Sequence, residues 1–449
     1  MSLSAATSSP SLGHSACERP PPRAPLVRAI AVTLGGVAVA LAASRLPLPF
    51  LDDDAFRAAV GDPSQLGLFS LGFAPFLNAS VIVEFVALTV PRLRRLRHGQ
   101  PAGRAGLVRA TWILAALMAL LQGWGIGAYL RSLRDVRGGL PFADVPMAGL
   151  ALSLAAACML ATLLATKMGE HGIGNGFTVL IAGGALVDLY ATARVAGRII
   201  GEVPLVWIAV HLVLAFVTLR LLIRLRTGSG PRVPFPTTGV VPLHQAVSLV
   251  ALPATVAAWL PAVRWLAEAA RPGTTEYGVA LAAVALVLAL VLARLFCSPD
   301  RVSAGWERAG LADSPTADDV RAALARANRR SAAFVLGLAV LASLMNIVVA
   351  SALAVVVIVA VVLDLADEAR ARKSGSPSVP AWALHRVWAV EPVLAALSAA
   401  GIPAWTRARH FRALFHFFAP YAPIELHVPV ERAADAAAIC ERIAADPEA

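Results

Sequence analysis

Long apolar blocks, broken by short polar segments, run from Leu26 to Leu365. Stretches such as Met147–Thr166 and Tyr277–Ala293 contain no Asp, Glu, Lys or Arg. At ~1.5 Å of rise per residue these lengths match the hydrocarbon core of a bilayer, and an aqueous core requires nothing so long. The pattern predicts ten membrane-spanning helices: Leu26–Leu46, Leu66–Val90, Leu107–Leu130, Met147–Thr166, Phe177–Gly197, Pro204–Leu222, Gly239–Leu260, Tyr277–Leu295, Ser331–Met345 and Ile347–Leu365. The last two share one apolar run, with the turn expected at Met345 and Asn346.

Beyond Arg372 the pattern changes. A Ser/Pro-rich linker is expected at 373–384, followed by a soluble-type segment at 385–449. Val387–Val390 reads as a strand, Glu391–Ala400 as a helix, Ile402–Arg407 and Ile424–Val430 as strands, and Glu431–Ala444 as a helix. The expected fold class is therefore an all-α polytopic membrane protein with a small α+β C-terminal domain. The segment 1–25, rich in Ser and Pro, is expected to be a disordered cytoplasmic N-terminus, with no removable signal peptide.

Charge sets the orientation. Arg92, Arg94, Arg95, Arg97, Arg104 and Arg109 follow the second span, and Arg220, Arg224, Arg226 and Arg232 follow the sixth. Arg294, Arg301, Arg308, Arg321, Arg326, Arg329 and Arg330 follow the eighth, whereas the first loop carries Asp52, Asp53 and Asp54. The excess of basic residues in cytoplasmic loops then predicts that both termini are cytoplasmic, in a multi-pass plasma-membrane protein. The net charge of +11 rests on arginine, with lysine only at Lys167 and Lys373. Because these arginines sit in short loops between apolar runs, no nucleic-acid partner is expected.

Composition agrees with a membrane location: 58% of residues are hydrophobic, 15% are charged, and mean hydropathy is +0.70. Soluble domains average roughly half apolar and about a quarter charged. Cys17, Cys158, Cys297 and Cys440 have neither metal-site nor disulfide-ladder spacing. No nucleophile–base pairing, phosphate-binding glycine loop or metal-ligand spacing stands out, so neither an enzyme nor a cofactor or metal is expected.

Four ordered segments resemble the SecY family of protein-conducting channels. They are Arg45-Leu-Pro-Leu-Pro49 with Leu71-Gly-Phe-Ala-Pro-Phe-Leu-Asn-Ala-Ser80; Gly99 to Arg109 with Gln122-Gly-Trp-Gly-Ile126; Glu170-His-Gly-Ile-Gly-Asn-Gly176; and Gly239-Val-Val-Pro242 with Leu252-Pro-Ala-Thr-Val-Ala-Ala-Trp259. Weaker similarity continues through Ser298-Pro299 and the last two spans to Asp364. Taken alone, the glycine-rich turn Gly172, Ile173, Gly174, Asn175, Gly176 reads equally as a helix-entry cap with Asn175 bonding local backbone.

The resemblance, over 26–372, implies two inverted five-helix halves around a pore. A ring of apolar side chains would seal its waist, and a side opening would lead to lipid. Carried over residue by residue, it places Phe73, Leu77, Phe177, Ile181, His244 and Val357 in the ring, and the polar Asn78 and Glu84 at the side opening. Ordinary helix packing competes as a reading of each apolar member. His244 stands where the family has an aliphatic residue; an interhelical hydrogen bond and a titratable spot in the seal are both open to it. Glu84 stands where the family has glutamine, and snorkelling or pairing with the following arginines is the economical account.

The implied function is conduction or membrane insertion of unfolded polypeptides as a specialised SecY paralogue. SecE-like and SecG-like subunits and the bilayer would be its partners. A former channel that senses or scaffolds through its tail is the alternative. The segment Pro49 to Leu71 is short for a plug, and the loops at Arg224–Pro236 and Ser298–Arg330 are cut down or altered, so poor docking of ribosome or motor ATPase is expected. The tail, through Ala400-Gly-Ile-Pro403 and Leu426-His-Val-Pro-Val-Glu-Arg-Ala-Ala434, resembles a small GlnB-like signal-transducing domain.

Overall fold

The structure is a computed structural model. It describes residues 26–51, 67–90, 92–93, 96, 101–132, 142–200, 205–224, 233, 236–257, 262, 264–269, 271, 273–344, 349–373, 378–418 and 422–444. The N-terminal 25 residues, Asp52 to Asp54, most of the segment expected to carry a plug, and the turn at Met345 and Asn346 lie outside the described residues.

In chain order the helices of the apolar region are α1 (Leu26–Ala43), α2 (Ala74–Thr89), α3 (Pro101–Ser132), α4 (Met147–His171), α5 (Gly176–Ile200), α6 (Leu205–Arg224), α7 (Val241–Ala257), α8 (Arg264–Ala269), α9 (Thr275–Phe296), α10 (Pro299–Ala309), α11 (Ala317–Leu344) and α12 (Val349–Lys373). Among the described residues five segments are long and apolar enough to cross a membrane; they lie in α1, α3, α4 and α5 and in the stretch beginning with α9. Within α2, α6 and α7 the apolar stretches are shorter.

Two boundaries differ from the hydrophobic pattern. The second block, expected from Leu66, becomes helical only at Ala74, with turns from Leu68 to Phe73 and an isolated bridge between Pro47 and Gly67. Pro75 in the first turn explains the late start, since its fixed φ suits a helix beginning and it has no N–H to leave unpaired. The ninth block, expected from Ser331, already belongs to a helix at Ala317. Thr316 is its cap: its Oγ1 accepts from Asp319 N–H (3.2 Å), and its own N–H donates to Asp319 Oδ2 (3.1 Å). This reciprocal arrangement starts a charged helical extension ahead of the apolar part.

The tail contains β1 (Ser378–Leu384), α13 (Val390–Ala399), β2 (Trp405–Arg407), α14 (Arg409–Leu414), β3 (Ile424–Pro429) and α15 (Ala433–Ala444). The three strands form an antiparallel sheet in the order β1-β3-β2. The strand Ser378–Leu384 falls where a linker was expected, and Val387–Ala389, expected as a strand, is a 3-10 turn entering α13. Pro380 hid β1, yet β1 is an edge strand, where a missing donor is tolerated. The Val-Trp-Ala-Val run is too short for periodicity to separate strand from buried helix entry.

The chain divides into two compact units, with boundaries between Leu46 and Pro47 and, inside α4, between Cys158 and Met159. In the first, α2 packs on α3 with Phe76 edge-on to Trp112 (5.1 Å, 83°). Leu48, Leu130, Phe142, Val145, Leu150 and Leu154 form its buried cluster. The second unit contains α1, the remainder of α4, α5 to α12 and the tail. Its main core joins Leu214, Leu243, Leu281, Val335, Val356 and, from the tail, Leu414.

Candidate functional site

The turn between α4 and α5 is held by hydrogen bonds from α1, α12 and β2. Asn175 begins α5: its Oδ1 accepts from the N–H groups of Phe177 (3.0 Å) and Thr178 (3.3 Å), and Thr178 Oγ1 donates to Asn175 O (2.9 Å). Two donors that a helix start leaves unpaired are thereby satisfied. Gly176 allows the close hairpin, because a Cβ there would sit 1.9 Å from Ala165 O on α4. From α1, Thr33 Oγ1 accepts from Ile173 N–H (2.8 Å) and donates to Ile173 O (3.1 Å).

The turn is then clamped by charge. Gly174 N–H donates to Glu368 Oε2 on α12 (2.9 Å). Glu368 is fully buried and also accepts from Arg372 (Nη2 to Oε1, 2.6 Å) and from Arg407 of β2 (Nε to Oε2, 3.1 Å). Arg372 Nη2 donates to Gly172 O (3.0 Å); Arg407 Nη1 donates to Gly169 O (3.0 Å), and Arg407 Nη2 to Gly174 O. The carbonyls at the end of α4 lack helical partners and carry the negative end of the helix dipole. Together with one carboxylate they make a cage suited to a planar, five-donor guanidinium. Burial works against the charge on Arg407, but Glu368 and Glu425 outweigh it and hold its pKa above the ordinary arginine range.

The tail extends this contact across neighbouring helix ends. Asp364 of α12 accepts from the first N–H groups of α14, with Oδ1 to His410 N at 2.9 Å and Oδ2 to Phe411 N at 2.9 Å. Leu414 O accepts from Val240 N–H at the start of α7 (2.9 Å). His416 stacks on Phe296 at the end of α9 (4.7 Å, 12°), and Phe417 meets the same ring edge-on. Phe418 lies edge-on to Phe177 in the first turn of α5 (6.2 Å, 78°).

The residues expected at a pore ring are placed as follows. Phe73 is the N-cap residue of α2, and Leu77 stands one turn on; both are half-buried in the first unit. Phe177 is buried against Phe418, Ile181 is half-buried one turn further along α5, and Val357 is buried on α12, which packs against α5. His244 is half-buried in the first turn of α7. Asn78 is half-buried on α2. Glu84 is 4% exposed on the buried face of α2, so its side chain is covered rather than extended outward as snorkelling requires. Sequence reasoning singled out the glycine turn, but missed Thr33, Glu368, Arg372 and Arg407 as its partners. In the sequence, Asp364 stands out only as the end of the similarity.

Comparison with known proteins bears on what this arrangement serves. The sequence profile of the SecY family matches residues 67–366. The protein translocase subunit SecY of Mycoplasmoides gallisepticum is 25% identical over 263 residues, 51% of this chain and 52% of that protein. That of Synechocystis is 24% identical over 330 residues, 62% of this chain and 74% of that one. The chain thus spans about half the length of the first of these curated relatives. A solved SecY structure, described as one whose plug domain stabilises the closed state of the translocation channel and maintains a membrane seal, aligns with a TM-score of 0.51. It has 13% identity and covers 80% of this chain and 95% of its own.

Proposed function

From membership of the SecY family, to which this chain belongs, we propose that it is a protein-conducting channel subunit. It would move unfolded polypeptides across the membrane, or insert them into it, as a specialised paralogue. In this reading ten spans form two inverted halves in a bacterial plasma membrane, with both termini cytoplasmic. Phe73, Leu77, Phe177, Ile181, His244 and Val357 line a constriction that excludes water yet deforms around an extended chain. Asn78 and Glu84 border the side opening, where apolar segments partition into lipid at roughly 25 cal/mol per Å² removed from water. SecE-like and SecG-like subunits are the expected partners.

The observation that carries this reading is the glycine turn. It occupies the place in the order of segments that the resemblance assigns it, and it links α4, α5 and α12 through Glu368. Its test is a photo-crosslinking amino acid at Phe73 or Ile181 during synthesis of a stalled membrane or secretory polypeptide. Labelling of that nascent chain at both positions is expected. Normal folding with labelling at neither would favour the second reading, a membrane sensor or scaffold with a GlnB-like tail as its output. The depth at which that tail is built into the second unit, with Leu414 in the helical core, is what favours the alternative.

A further inference from the structure

The segment from Arg407 to Phe418 reaches four places at once: the α4–α5 turn, the start of α7, the end of α9 and the C-terminal half of α12. The receiving surface is shaped for it. Gly239, at φ 64°, leaves space that a Cβ would take from Leu414 O, only 1.9 Å away. The anchors are mostly polar: Arg407 in its carbonyl-and-carboxylate cage, Asp364 on the start of α14, and His416 Nε2 at 3.3 Å from Pro236 O. Groups of this kind regain water when they separate, so the net cost of release is far below the sum of the contacts.

Phe418 gives the contact a direction. It lies against Phe177, a residue assigned above to the pore ring, and Phe177 is buried beneath it. We propose that Arg407–Phe418 is a built-in cap on the conducting path, keeping Phe177 covered until Arg407 leaves the cage formed by Glu368 and the carbonyls of Gly169, Gly172 and Gly174. The inference rests on the channel reading above and adds its regulation: the chain is closed by its own tail. The trigger is whatever competes for that cage, and the matching chemistry is a guanidinium presented by another polypeptide.

The test uses the full-length chain with its native cysteines replaced by alanine and with Ile181→Gly added, so that the apolar ring does not itself block ions. Phe296→Cys and Phe417→Cys, whose native rings meet with centroids 4.7 Å apart, are joined by a short reducible thiol crosslinker between helix end and tail. Potassium current is recorded in planar bilayers before and after reduction, with Arg407→Lys added to favour release. The expected result is background current when crosslinked and a rise of about tenfold or more on reduction. Gly239→Ala, which displaces the tail from the opposite side of the contact, should raise the current without any change to Arg407. Equal, measurable currents in the crosslinked and reduced states would overturn the cap while leaving the channel intact. Failure of the crosslink to form in the folded chain would overturn the docking itself. Absence of current in every state, with the crosslink confirmed, would overturn the channel reading and the cap with it.

Discussion

Arg407 of the tail sheet and Glu368 of α12 form a buried ion pair, Nε to Oε2 at 3.1 Å, between positions 39 residues apart. The same guanidinium reaches Glu425, its cross-strand neighbour on β3, at 3.4 Å. One side chain therefore ties the tail's own sheet to the turn that begins α5. Removing one partner of a buried pair leaves the other charged and unpaired, at a cost of about 3–5 kcal/mol. Arg407→Ala should lower the unfolding temperature of the purified chain by many degrees. Arg407→Lys, which retains the charge and loses the fork, should fall between it and wild type. Indistinguishable melting of Arg407→Ala and wild type in detergent would show that the cage contributes nothing.

Gly176 makes a steric prediction. With Ala165 O at 1.9 Å from the place a Cβ would occupy, and both groups on backbone, Gly176→Ala must push α4 and α5 apart. Gly35 of α1 is the control, since nothing lies within 4 Å of its Cβ position. Gly176→Ala should abolish accumulation of folded protein, whereas Gly35→Ala should accumulate normally, as read by size-exclusion profile. A normal profile for Gly176→Ala would place the hairpin elsewhere.

Asn175 makes a smaller one. Its side chain accepts two N–H groups at the start of α5, a role also open to aspartate. Asn175→Ala should cost about 1 kcal/mol, the usual loss of an N-cap, and Asn175→Asp should remain close to wild type. Equal loss in the two variants would mean that the amide NH2, rather than the oxygen, matters here.

Much of the helical framework was legible because a bilayer imposes a length, and among the described residues five apolar segments meet it. Helix ends were less so. α11 starts at Ala317 through Thr316 and Asp319, a capping pair present in the sequence but masked by the charged character of the stretch that follows. β1 was concealed by Pro380, which counts against a strand unless its edge position is known. The glycine turn was visible because close approach selects glycine and helix starts select Asn. Its charged partners were not. With 39 Lys and Arg residues in the chain, no local pattern marks Arg407, and its contacts with Gly169 and Glu368 bridge 238 and 39 positions. Long-range pairing of this kind is fixed only when the tail docks.

Cys440 offers a pH-dependent probe of that tail. It is fully buried on α15, and burial pushes its thiol from 9.0 up to about 12. Between those values the folded chain keeps a proton that the unfolded chain gives up, so stability falls as pH rises through the window. The slope is about 1.4 kcal/mol per pH unit for this one group, and it is absent below pH 9. Only a thiolate reacts rapidly with maleimide or iodoacetamide, so labelling at pH 8 should require opening of α15. With Cys17, Cys158 and Cys297 replaced by alanine, native labelling of Cys440 should be at least a hundredfold slower than in denaturant. Arg407→Ala should accelerate it if loosening at the cage spreads through β2 and β3 to α15. A native rate equal to that in denaturant would mean that α15 does not stay packed on the sheet in solution.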